Sequence, residues 1–164
     1  MFDRGEEYSV TDIVCLAGAN PRSVQHWAVS GILMPKPETN RAGTGNRRVF
    51  AADEAILACV LQPLAERQTP VGEMQRIALL IRDHLLTRGV ARRALLNKMI
   101  LGTTQAWFVA FPEQDDPAAK IVEEGGEAGF EEIFRHMKKK PVALVIDLTA
   151  AFNGFHIEKT TKKP

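Results

Sequence analysis

The chain has 164 residues, of which 45% are hydrophobic and 25% charged, and its formal net charge is +1. That length allows one domain, or a small domain with an accessory one, and enough buried surface to fold without staples. A balance so near neutral does not by itself mark a nucleic-acid binder, and the absence of a long apolar run or a basic-then-apolar leader argues against secretion or a membrane span, leaving the cytoplasm as the expected location.

Thr11 is placed to cap a short helix over residues 12–17, with Gly18 as its left-handed stop. Asn20 then caps a second helix, and Pro21 fills its first turn, where a missing N–H costs nothing. At about 100° per residue, Val24, Trp27 and Ala28 share the inward side of this helix. Arg22, Gln25, His26 and Val29 fall opposite them, Ser23 lies at the flank, and Gly31 ends the helix.

Ile32-Leu33-Met34 must be extended, because Pro35 and Pro37 push their predecessors out of the α region. TNRAGTGN (39–46) is a Gly-rich turn, and RRVFA (47–51) reads as the return strand of a hairpin. Asp53 begins a third helix carrying Ile56, Leu57, Val60 and Leu64, which Pro63 should kink or end. Thr69-Pro70 repeats the cap-then-proline signal and opens a fourth helix, with Met74, Ile77, Ala78, Ile81 and Leu85 as its apolar stripe. Gly89 breaks the chain before a basic helix, 90–101, with Leu95, Met99 and Ile100 inward.

After Gly102 the composition changes. AWFVAF (106–111) is a dense apolar strand ended by Pro112, residues 113–118 form an acidic loop, and Lys120-Ile121-Val122 is a short strand. Phe130, Ile133, Phe134 and Met137 have helical spacing, and VALVIDL (142–148) reads as a buried strand. Asn153-Gly154 makes a tight hairpin turn, unless Thr149–Phe152 is a last helical turn. The basic tail, 159–164, is expected to lack fixed structure. Cys15 and Cys59 both fall in apolar helical pattern and read as two buried thiols, with a disulfide or redox pair as the alternative.

Charge is unevenly spread. Residues 20–50 carry Arg22, Lys36, Arg41, Arg47 and Arg48 against Glu38, and 76–101 carry Arg76, Arg82, Arg88, Arg92, Arg93 and Lys98 against Asp83. Residues 113–132 reverse the sign, with eight acids opposed by Lys120. A basic front half points to a polyanionic partner. Two short helices, the second with Arg, Gln and His outward, followed by a basic hairpin, form the order of a winged helix-turn-helix. A helix of that kind fits the major groove, where Gln and Arg pair with adenine or guanine edges, while the hairpin meets phosphates.

The segments YSVTDIVCLAGANPRSVQHWAVSGILMP, RRVFAADEAILACVLQPL and TPVGEM, in that order, resemble the DNA-binding domain of the MerR family of transcriptional regulators over residues 8–86. The resemblance implies a recognition helix over 21–30 in the major groove and a wing over 35–50 on the backbone. It assigns Ser23 to phosphate, Gln25 to the place of a usual Arg, and His26 to that of a Tyr approaching DNA. Arg48 matches the wing Arg on the backbone, Phe50 the wing aromatic packed inside, and Trp27 the inward aromatic. The candidate DNA-binding residues are therefore Arg22, Ser23, Gln25, His26, Arg41, Arg47 and Arg48.

The expected class is α+β: this domain, a connecting or dimerisation helix over 87–101, and a small α/β module over 105–158 for dimerisation or an effector. Double-stranded DNA and a second copy of the chain are the expected partners, with a small molecule or protein as possible effector. The resemblance implies dimerisation through a long helix; here that helix is short. No Cys follows Cys59, and His84, His136 and His156 are scattered, so neither metal nor cofactor is expected. No nucleophile elbow or phosphate loop argues for an enzyme; Asp147, at a strand end, reads as a cap or turn residue. The alternatives to a regulator are an architectural, excisionase-like DNA-bending factor and a protein-binding adaptor.

Overall fold

The computed structural model describes residues 6–39, 48–86, 89–111, 118–123, 131, 135 and 144–152. The chain is α+β, with two small antiparallel sheets among helices. Strand β1 (Glu7–Ser9) leads into α1 (Val10–Ala17) and α2 (Pro21–Val29). Strand β2 (Val49–Ala51) then feeds α3 (Ala52–Glu66), and α4 (Val71–Ile81) runs on through a π-helical turn (Arg82–Leu86) to α5 (Gly89–Ile100). Strands β3 (Ala106–Phe111), β4 (Ala118–Glu123) and β5 (Leu144–Asp147) follow, and a single turn, α6 (Leu148–Ala151), closes the described chain.

The first helix starts earlier than the Thr11 cap expected from the sequence. Ser9 Oγ accepts the Asp12 N–H and the Asp12 carboxylate accepts the Ser9 N–H at 2.8 Å, a reciprocal box that closes two residues sooner. Gly18, at φ +64°, is the left-handed stop. Strand β2 has a partner not expected from the sequence: it pairs with β1, Tyr8 opposite Phe50, while Pro35 makes an isolated bridge to Phe50 from the other side. Phe50 is thereby fully buried.

Helix α3 begins at Ala52 rather than Asp53 and runs through Pro63 to Glu66 instead of ending there. The proline lies in the last turn, so it removes one ladder bond, and buried Leu64 holds the turn against the core. Pro70, not Thr69, is the cap of α4; its extended backbone (ψ 142°) leaves no side-chain cap, and the Thr69 N–H is spent on Leu64 O at 3.1 Å. Gly89 starts α5 rather than breaking before it.

In the second sheet β3 is central, pairing with β4 (Phe108↔Ile121) and β5 (Phe108↔Ile146), both antiparallel. Of the VALVIDL run, Leu144–Asp147 forms β5, an edge strand among the described residues rather than a buried one: Ile146 points into the core and Val145 is 58% exposed. Its unbroken apolar sequence resembled a strand covered on both faces, but only the alternate side chain is covered. Thr149 Oγ1 accepts the Ala106 N–H at 3.1 Å and so ties α6 to the start of β3.

One apolar core runs through both halves: Ile13, Trp27, Phe50, Leu57 and Ile77 are continuous with Phe108, Ile146, Leu148 and Phe152. Leu95, Leu96, Met99 and Ile100 of α5 are spent in that same core. Cys15, expected inside, is exposed, because α1 buries only Ile13 and Leu16; Cys59 is buried, and neither is disulfide-bonded. Of the expected 39–46 turn all but Thr39 lies outside the described residues, as does the expected 113–118 loop except Ala118, which opens β4; Phe130, Ile133, Phe134 and Met137, the Asn153-Gly154 turn and the tail 159–164 lie outside them too. Among the described residues no helix is long and apolar enough to cross a membrane.

Candidate nucleic-acid interface

Helix α2 is short, and its two ends are fixed by different means. At the N-terminus Asn20 Oδ1 accepts the Arg22 N–H at 2.9 Å and Asn20 O accepts the Val24 N–H at 3.1 Å. At the other end Trp27 O accepts the N–H groups of Ile32 (2.8 Å) and Leu33 (3.0 Å) and the Ser30 hydroxyl (3.2 Å). Gly31, at φ +75°, supplies the left-handed backbone this reversal needs. Between those ends Val24, Trp27 and Ala28 are buried.

The opposite side is open. Arg22, Gln25 and His26 are exposed, Ser23 is half-buried at the flank, and Val29 is 72% exposed. These residues therefore share one solvent-facing strip about two turns long. Arg48, immediately before β2, is half-buried. Arg41 and Arg47 lie outside the described residues, which include the four candidates on α2 and Arg48.

Thr39 joins the chain on either side of residues 40–47. Thr39 Oγ1 accepts the Val49 N–H at 3.1 Å and donates to Lys36 O at 2.9 Å, while the Lys36 N–H donates to Val49 O at 2.8 Å. Lys36 itself forms an ion pair with Glu7 of β1. The hydrogen bond from Lys36 Nζ to that carboxylate, opposed by desolvation and aided by the charges of Glu7 and Glu38, raises its pKa above the ordinary lysine value. Lys36 is thus paired at the surface with an acid of its own chain.

A further set of residues fastens the chain just after α2. Gln75 Nε2 donates to Ser30 O at 2.6 Å, Arg82 donates to Ile32 O at 2.7 Å, and Glu54 Oε2 accepts the Met34 N–H at 2.8 Å. Arg82 and Glu54 bind one another through two contacts, 2.8 Å and 3.2 Å, and Glu54 is only 8% exposed. A signal for this existed in the sequence: Glu54 falls on the apolar face of Leu57 and Leu61, where a charge requires a partner.

Elsewhere, a cavity of about 380 Å³ opens between the end of α3 (Pro63, Leu64, Arg67), β5 and α6. Asp147 at its rim caps α6, its Oδ1 accepting the Ala150 N–H at 3.0 Å, which fits the capping role read from the sequence. Among the described residues no three His, Cys, Asp or Glu side chains are grouped to hold a metal ion. Comparison with known protein families finds no matching family model, and comparison with the curated proteins finds no significant match.

Proposed function

We infer that the chain is a sequence-reading DNA-binding protein of MerR-like winged helix-turn-helix design, acting as a transcriptional regulator. The observation that carries this reading is the division of α2: Val24, Trp27 and Ala28 inward, and Arg22, Gln25 and His26 on one exposed strip. A strip of that width fits the major groove, where Gln25 can pair with adenine and Arg22 with guanine or phosphate. Arg48, just before β2, would meet the backbone, with Arg41 and Arg47 as its expected companions.

A homodimer would set two recognition helices about one turn of DNA apart, ~34 Å. Because α5 spends Leu95, Leu96, Met99 and Ile100 in its own chain, the second copy must be met by another surface. A second reading is favoured by one observation. Val29, on the same strip, and Met34, five residues on, are exposed apolar side chains, which suit a protein-binding adaptor as well as a thymine methyl group.

The deciding experiment is selection of bound sequences from a random duplex pool by the full chain, followed by the salt dependence of the winner. An enriched inverted repeat supports the regulator reading and gives the half-site spacing. Salt-sensitive binding without enrichment supports an architectural DNA-bending role, and no binding at all supports the adaptor.

A further inference from the structure

We propose that Arg82, Glu54 and Gln75 are positioning residues that set the pitch of α2 and thereby its discrimination between sequences. The proposal rests on the DNA-reading role given to α2 above. The residues after α2 belong to neither helix nor ladder, yet their polar groups need partners. The N–H groups of Ser30, Ile32 and Leu33 turn back onto α2. Of the other groups, Ser30 O, Ile32 O and the Met34 N–H are each taken by a side chain from α3, α4 or the π-helical turn.

The attachment is rigid for a geometric reason. Gln75 and Arg82 are seven residues apart, two turns or ~10.5 Å along the helix axis, so the segment is held at separated points. Arg82 is itself locked, its Nε and Nη2 on the Glu54 carboxylate while Nη2 also reaches Ile32 O. One planar fork serves both partners, which the single ammonium of a lysine does not reproduce. The α4 helix and its π-helical turn in turn pack against β4, so the clasp is anchored in the main body of the protein. Base reading tolerates displacements of only ~0.5 Å, whereas long flexible side chains follow phosphates over a wider range.

The test uses the full chain and three variants: Gln75→Ala, Arg82→Lys and the double variant Glu54→Gln/Arg82→Met. The double variant removes both charges together and so avoids leaving one buried alone, the circumstance in which a single truncation fails to fold. Amide hydrogen exchange is followed at Ser30, Ile32 and Leu33, with Ile56–Leu61 of α3 as the internal control. Affinity is measured for a selected duplex and for its shuffled counterpart at two salt concentrations.

In each variant the α2 exit should exchange roughly five- to tenfold faster while α3 is unchanged, as loss of one or two hydrogen bonds predicts. Affinity for the selected duplex should fall roughly tenfold, the size of one well-placed base contact, with shuffled-duplex affinity and salt slope unchanged. Unaltered exchange in all three variants, or an equal loss on both duplexes, would overturn the proposal. A wild type that binds neither duplex would refute the DNA reading instead, and the exchange comparison would still decide whether the clasp holds α2.

Discussion

Helices α2 and α3 bury opposite shares of their surface. Nine residues of α2 bury three side chains, whereas α3 buries all of Glu54–Leu61, with Ala52 and Leu64 besides. The first is amphipathic and keeps a polar strip free; the second is apolar nearly all round and sits at the centre, touching α1, α4, β2 and α6. A helix enclosed on every side carries stability, and one enclosed on a single side is available to touch something else. The comparison separates where substitutions should unfold the protein from where they should change what it does.

Leu57→Ala in α3 should have the largest effect, about 2–5 kcal/mol in denaturant unfolding, since the side chain is fully buried. Because the core is shared, tryptophan fluorescence and far-ultraviolet circular dichroism of the unsubstituted chain should report one unfolding midpoint; two midpoints would divide the molecule into separate units. In α2, Gln25→Ala should leave stability within about 0.5 kcal/mol but relax preference at one base pair by ~1–3 kcal/mol in competition binding. Asn20→Ala, which deletes the cap of α2, should cost ~1 kcal/mol in thermal or denaturant unfolding.

Arg48→Ala should weaken binding to every duplex alike and lower the salt slope by about one unit. If it and Gln25→Ala gave the same uniform loss, the division between base and backbone contacts would be wrong. The smallest change is chemical. Iodoacetamide at mildly alkaline pH should modify exposed Cys15 and spare Cys59, whose thiol burial pushes up to about 12 from 9.0. The folded pKa lies above the unfolded one, so its contribution to stability is intact below pH ~9 and declines from there toward pH ~12 as the unfolded thiol ionises. Modification of both cysteines in the native protein would contradict the burial of α3.

Periodicity and caps made much of this visible in the sequence. Asn20, Pro21, Trp27 and Gly31 defined α2 through local rules, and the apolar stripe of α4 fell where its spacing put it, because a helix places residues three and four apart on one side. The strip of Arg22, Gln25 and His26 follows from the same arithmetic. What was not visible depended on distant partners. Strand β1 is three residues long and exists through its pairing with β2, some forty residues away, so no local signal announced it. Val145 is exposed since β5 lies at an edge, a fact of sheet order to which the run VALVIDL is indifferent.

The sequence by itself determined where the first four helices lie, the Asn20 cap, the Gly18 and Gly31 stops and which side of α2 is polar, for these arise from interactions within a few residues. Tertiary structure alone decided that α5 and the second sheet share one core with the first half, and that Glu54, Gln75 and Arg82 meet at the end of α2. Those contacts join residues twenty to fifty positions apart, and they form where packing brings groups together whose polar atoms lack nearer partners.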